Sequence, residues 1–336
     1  EEMIEMEKCD ILINGCRILQ PDMTVSEELS VAIHDSWIKK IGPSGEMKEN
    51  FQPSETLDGT GKLLMPGLVD GHTHTCQQLL RGRVSDEYPM VWTRFLVPFE
   101  SNLRPEDSYI SGQLACLEMI KNGTTSFADS GGVHMERVAD AVLESGMRAA
   151  IAKSTMDMGN AITGAMKETA EEAVNHTREL YQAYDGKGDG RISIWFAIRQ
   201  VMTCSKELIA MVRDAAAELH TGIHAHLCEH KDEVSFCLQN YQLRPAQFLE
   251  SMGVLGPNLL TAHNVMLSDE DIAVMARRDV KVIHCPRANL SNHGFPKTPQ
   301  ILQAGLSVGL GCDGAAPSNL DLFDEMKVLR YGMMAY

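Results

Sequence analysis

Two histidines one residue apart, His72 and His74, stand where the apolar run Leu63-Leu64-Met65-Pro66-Gly67-Leu68-Val69-Asp70 ends. On a β-strand alternate residues point to the same side, so both imidazoles can converge on one point at the strand's C-terminal end. Other ligand-type residues close similar apolar stretches: His226 in Ile223-His224-Ala225-His226-Leu227, His263 in Leu259-Leu260-Thr261-Ala262-His263, and Asp313 in Val308-Gly309-Leu310-Gly311-Cys312-Asp313. A single pair arises on strands by chance, but four strand ends carrying histidine or aspartate point to a metal centre. Neutral imidazoles with a carboxylate suit zinc or ferrous iron. A coordination position left open to water would bring that water's pKa toward neutrality. His224 alternates in phase with His226, so on spacing alone either could be the ligand.

Such residues need strands that end on one face. Eight strand candidates cover 63–71, 124–129, 148–154, 191–198, 222–228, 258–264, 280–285 and 307–312, with helical stretches between them. In 107–122, Tyr109, Ile110, Leu114, Leu117 and Ile120 recur at helical spacing. Glu207 to His220 and Ser268 to Arg278 behave alike, and Ser268 followed by Asp271 reads as a helix N-cap. Eight β/α units over about 250 residues have the size of a TIM barrel, whose active sites lie at the C-terminal strand ends. Residues 8 to 62 differ: short apolar strands at Cys9–Gly15, Leu29–Ile33 and Trp37–Gly42, separated by turn residues, predict a small antiparallel β unit. The expected division is a small β domain at 1–62 and a (β/α)8 barrel at 63–336.

The 336-residue chain is 44% hydrophobic, enough for a sizeable core. Thirty basic against 46 acidic residues give a net charge of −16, which argues against nucleic acid or an anionic membrane as the main partner. No apolar run approaches the roughly 20 residues of a membrane span, and the opening Glu1-Glu2-Met3-Ile4-Glu5 lacks the basic and apolar regions of a signal peptide. Nine cysteines, mostly embedded in apolar runs and without a CxxC, read as reduced core residues of a cytoplasmic protein.

The chain resembles the amidohydrolase superfamily of metal-dependent hydrolases, in the branch of S-adenosylhomocysteine/methylthioadenosine deaminases, guanine-type deaminases and triazine hydrolases. The carrying motifs are Pro66-Gly67-Leu68-Val69-Asp70-Gly71-His72-Thr73-His74, Gln78-Leu79-Leu80-Arg81-Gly82, His226-Leu227-Cys228-Glu229, Ala262-His263, His284-Cys285-Pro286-Arg287-Ala288-Asn289-Leu290 and Gly311-Cys312-Asp313-Gly314. Similar proteins normally continue past the eighth strand into strands that complete the N-terminal β unit, and this chain ends at Tyr336 before them.

The resemblance implies one divalent metal, zinc above ferrous iron, held by His72, His74, His226 and Asp313. It implies Asp313 as acceptor of the attacking water's proton, Glu229 as the acid that protonates a ring nitrogen, and His263 as the group orienting the water. The Glu229 three residues after His226 favours His226 over His224 as ligand. Binuclear relatives use a lysine on the fourth strand, and Arg191–Ile198 has none. Looser correspondences place Trp92, Glu100 and Arg148 against substrate, with His284 near the mouth. At Arg199, where similar nucleoside deaminases carry histidine, a permanent cation suggests a substrate with a carboxylate, a phosphate or a carbonyl-rich ring. The implied reaction is hydrolytic deamination of an N-heterocycle such as a purine or pyrimidine base or nucleoside by metal-activated water. The alternative is hydrolysis of another C–N or a C–Cl bond on a triazine-like or cyclic amide substrate. The implied partner is a small molecule, and a homodimer is common among similar proteins.

Overall fold

The computed structural model describes residues 6–84, 87, 91–159, 162–314 and 319–335, excepting the side chain of Asn292. The first five residues, read above for a leader, lie outside these. Two compact units divide at Gly67.

The first unit holds β1 (Glu7–Ile18), β2 (Leu29–His34), β3 (Trp37–Gly42), β4 (Phe51–Asp58) and β5 (Leu63–Leu64) in the order β3-β2-β1-β4, with β5 also on β1. Pairs β1–β2 and β2–β3 are antiparallel, but β4 and β5 run parallel to β1. The sheet is therefore mixed, not antiparallel as the short strands suggested. Its reason is the helix Ser44–Asn50 between β3 and β4, which provides the crossover that parallel pairing requires. Cys9, Leu12, Ala32, Met47 and Phe51 form the core. Leu63 and Leu64, expected in the first barrel strand, pair with Arg17 and Ile18 instead.

The second unit is a (β/α)8 barrel of β6 (Leu68–Thr73), β7 (Thr124–Asp129), β8 (Arg148–Ala152), β9 (Ile192–Ile198), β10 (Ile223–Leu227), β11 (Leu259–His263), β12 (Lys281–His284) and β13 (Val308–Leu310). Each strand is hydrogen-bonded to its sequence neighbours. Pro66-Gly67 separates β5 from β6, as a residue without a ladder N–H does. Strands such as Ile192–Ile198 bury Ile192, Ile194, Phe196 and Ile198, the near-continuous apolar run that a sheet covered on both faces demands. Helices lie between strands, among them Pro105–Lys121, Lys206–Glu218 and Asp269–Arg277. Ser268 caps the last: its Oγ accepts from the Asp271 N–H at 3.1 Å, and the Asp271 carboxylate accepts from the Ser268 N–H, two otherwise orphan donors satisfied reciprocally.

The barrel closes through a parallel bridge between Thr73 and Asp313. At that seam a Cβ on Gly311 would stand 2.6 Å from the His72 carbonyl oxygen and 2.7 Å from its nitrogen, so only glycine lets the two backbones approach. The buried Asp70 Oδ1 accepts from the His72 and Cys312 N–H groups and ties both sides together. Burial pushes its carboxyl up to about 6, against those two donors. Among the described residues no helix is long and apolar enough to cross a membrane.

Candidate active site

At the C-terminal mouth of the barrel, His72 on β6, His74 just beyond it, His226 on β10 and Asp313 beyond β13 face one another. The Nε2 atoms of His74 and His226 are 3.2 Å apart. Asp313 Oδ1 lies 3.4 Å from His72 Nε2 and 3.7 Å from His74 Nε2. Donor atoms about 2.0–2.1 Å from one tetrahedral ion stand about 3.3 Å from each other. Ligand atoms of His72, His74 and Asp313 all lie within 4.8 Å of one another, as do those of His72, His226 and His263, spacings that could hold an ion. All three imidazoles are buried. Burial first, then neighbouring charges (Arg199 and His72 for His74, the other histidines for His226), drives the pKa values of His74 and His226 well below the usual histidine range, so these two rings are neutral.

A hydrogen bond behind His74 fixes which of its nitrogens faces the centre. The Gly131 carbonyl can only accept, so His74 Nδ1 carries the hydrogen it donates at 3.1 Å, and Nε2 is left with its lone pair. His72 Nδ1 pairs with His224 Nε2 at 2.8 Å. His224 therefore stands behind His72, while the buried His72 Nε2, which has no hydrogen-bond partner, faces the centre. A carboxylate in this nest would be raised by burial, yet the adjoining His72 ring, with His263 and His74, holds Asp313 well below the usual range.

His263 is arranged the other way. Asn289 Oδ1 accepts from the Cys285 N–H at 3.3 Å, which orients the amide, and Asn289 Nδ2 then donates to His263 Nδ1 at 3.0 Å. Nε2 of His263 must carry the hydrogen, so this ring offers a donor where its neighbours offer lone pairs. It points toward Glu229, whose Oε1 is 3.9 Å away. Glu229 follows β10, where Cys228 takes a left-handed conformation at φ 51°; His263 at 74° and Asp313 at 64° do the same at their own strand ends. Such conformations are costly for non-glycine residues and concentrate at functional sites. Glu229 Oε2 accepts from Gln200 Nε2 at 2.5 Å, and its Oε1 lies 3.2 Å from His293 Nε2. Burial would raise its pKa, but the His263 and His293 rings bring it well below the ordinary carboxylate range.

The residues expected at substrate are divided. Arg199 and Glu100, assigned separately to it, form a buried pair. Arg199 Nη1 donates to Glu100 Oε2 and Nη2 to Oε1, each at 3.1 Å, and Nη1 also donates to Ser154 Oγ at 3.0 Å. Gln77 Nε2 donates to the same carboxylate. Arg199 is close enough to the centre to lower the pKa values of His74 and His226. Trp92 packs against an apolar cluster that includes Cys76, Val97 and Leu103, with its indole N–H buried. His284 ends β12 with Nδ1 3.1 Å from Thr298 Oγ1, its pKa lowered by burial to about 3. Arg148 departs from expectation. It is the first residue of β8 and exposed, at the strand's N-terminal end, whereas the histidines gather at the C-terminal ends. Gln77, Gln200 and His293 carried no periodic signal, because all three lie in the segments after strands.

The chain matches the amidohydrolase family over residues 63–335. It is 39% identical over 324 residues to the 5-methylthioadenosine/S-adenosylhomocysteine deaminase of Pelotomaculum thermopropionicum, covering 95% of this chain and 72% of that one. To the 5'-deoxyadenosine deaminase of Methanobrevibacter smithii it is 36% identical, covering 94% and 71%. Among solved structures, an adenosine deaminase from Xanthomonas campestris with bound zinc superposes with a TM-score of 0.91 at 29% identity, covering 98% of this chain and 75% of that one.

Proposed function

This chain belongs to the amidohydrolase family, and on that premise we propose that it is a metal-dependent deaminase. It replaces the exocyclic amino group of an N-heterocycle by oxygen. The observation that carries the reading is the contrast within one cluster: the His72, His74 and His226 rings crowded beside Asp313, with the His74 lone pair turned inward, and a donor at His263 aimed toward Glu229.

We assign His72, His74, His226 and Asp313 to one divalent metal, zinc by preference. Bound there, the ion supplies Lewis acidity that makes water nucleophilic near neutral pH. Asp313, kept ionised by its histidine neighbours, takes the water's proton as its oxygen bonds to the ring carbon. Glu229, ionised at rest, takes the water's second proton and hands it to the adjacent ring nitrogen, and the N–H of His263 steadies the oxygen in the tetrahedral adduct. The proton held by Asp313 passes to the amino group, the C–N bond breaks, and ammonia leaves as the ring C=O forms. Acid–base help of this kind is worth about 10²–10⁴-fold.

Glu100 is already filled by Arg199 and Gln77, and Arg199's charge is neutralised in return. The pair therefore suits a neutral heterocycle at the wall of the pocket better than an anionic substrate. We place the protein in the cytoplasm, where its nine buried, unpaired cysteines stay reduced.

The test is ammonia release by zinc-loaded protein from a panel of purines, nucleosides, pyrimidines and aminotriazines, with Glu229→Gln as control. Release that disappears in the control supports the reading and identifies the ring. With zinc bound, silence across the panel refutes deamination of these rings and points to another leaving group.

A further inference from the structure

Glu229 is gripped more closely than its proposed chemistry alone requires. Its backbone N–H donates to Glu233 Oε2 at 3.0 Å. One carboxylate oxygen accepts from Gln200, and the other faces His293 Nε2 at 3.2 Å, with His263 farther away at 3.9 Å. His293 follows the short helix Pro286–Asn292. That helix also carries Asn289, the residue that fixes the His263 tautomer. One segment after β12 thus sets both imidazoles that face the Glu229 carboxylate.

Resting on the assignment of Glu229 above, we propose that His293 is a positioning residue: its imidazole holds Glu229 Oε1, keeping the carboxylate charged and aimed at the reacting ring. The surroundings favour a cation at His293. Glu229 touches it, Asp232 and Asp313 lie nearby, and the His230 ring stands 5.5 Å away with its Nδ1 3.9 Å from Asp232. Burial lowers the His293 pKa, but the hydrogen bond to Glu229 and these three carboxylates outweigh it and bring the net shift upward. The neighbouring His230 and His263 are both shifted downward, by burial first. The His293 side chain is 20% exposed against 12% for Glu229.

Two measurements test this on the zinc-loaded protein. The first is the pH titration of the His293 imidazole by NMR, in wild type and Glu229→Gln. The expected result is a lower imidazole pKa once the carboxylate is gone, by about 1 unit; an unchanged titration overturns the contact whether or not the protein is a deaminase. The second is the pH profile of ammonia release in His293→Ala and His293→Gln. The alanine variant should lose about tenfold or more in kcat with KM within about threefold. The glutamine variant, which keeps an N–H donor without the charge, should recover most of kcat near neutral pH. Both should move the acid limb of kcat/KM upward, because Glu229 then protonates more readily. Equal losses at every pH with an unmoved limb would make His293 merely structural and refute the proposal. If the alanine variant does not fold, the glutamine variant and the titration still decide.

Discussion

Asp313 meets His72 twice. Its backbone N–H donates to the His72 carbonyl oxygen at 2.9 Å, and its carboxylate lies 3.4 Å from the His72 Nε2. The proposed metal centre and the seam between the first and last barrel strands are therefore one structure. An ion bound by both residues would staple the seam and stabilise the folded state by mass action, by about 2.7 kcal/mol when zinc stands at a hundred times its Kd. Asp313→Ala should reduce bound zinc below one per chain and abolish the rise in thermal midpoint on adding zinc. Glu229→Gln should keep both while losing ammonia release. Normal zinc content in the Asp313 variant would remove Asp313 from the ligand set.

Much of the barrel was legible because strand alternation and helical spacing are local signals. The strands at Thr124–Asp129 and Ile192–Ile198 fall within one residue of expectation, and the Ser268 cap was written in two residues. The parallel return of β4 was not, since it depends on the short helix before it and not on the strand's own residues. His72 and His74 could be placed at a strand end by reading alternation. Arg148 could not, because a resemblance matches a position without saying at which end of the strand it stands. Nor does local pattern show Arg199 meeting Glu100, 99 residues earlier, or His293 reaching Glu229 from a loop.

The Arg199–Glu100 pair gives a stability prediction. Both side chains are buried, and removing one partner of such a pair costs about 3–5 kcal/mol by stranding the other charge. Arg199→Ala should lower the urea midpoint accordingly, and Arg199→Ala with Glu100→Gln should recover part of the loss, since Gln is neutral. If the double variant is as unstable as the sum of the singles, the two residues are not coupled and the charge-neutral pocket wall is wrong.

Glu233 makes the fold pH-sensitive in a defined direction. Burial raises its carboxyl to about 8, against the N–H groups of Glu229 and Cys228 and with Glu229 and Asp271 adding to the rise. An unfolded glutamate titrates near 4.3. Between these values the folded protein holds a proton that the unfolded chain has lost, so this contribution is fully present below about pH 4.3 and fades as pH rises through 8. Glu233→Gln keeps an oxygen for the Glu229 N–H and cannot ionise. From pH 6 to 8 the variant should gain on wild type by about 1 kcal/mol per pH unit in urea unfolding. Parallel stability curves would show that Glu233 is ionised in the folded state.

Gly311 is the residue that lets the seam form. A Cβ at Gly311 would lie 2.6 Å from the oxygen, 2.7 Å from the nitrogen and 2.8 Å from the Cβ of His72. None of these can be relieved by rotating a side chain, so the strands must part, and His72 and Asp313 with them. Overpacking of this kind costs about 1–3 kcal/mol and sometimes more. Gly311→Ala should therefore lose stability and zinc together, although neither atom set it disturbs belongs to residue 311 itself. Gly45, in the helix Ser44–Asn50 with open space around its Cβ position, supplies the control. There alanine should leave stability equal or raise it by up to about 1 kcal/mol. A Gly311→Ala protein that matches this control in unfolding midpoint and binds one zinc would show that the first and last strands do not close as tightly as the seam geometry requires.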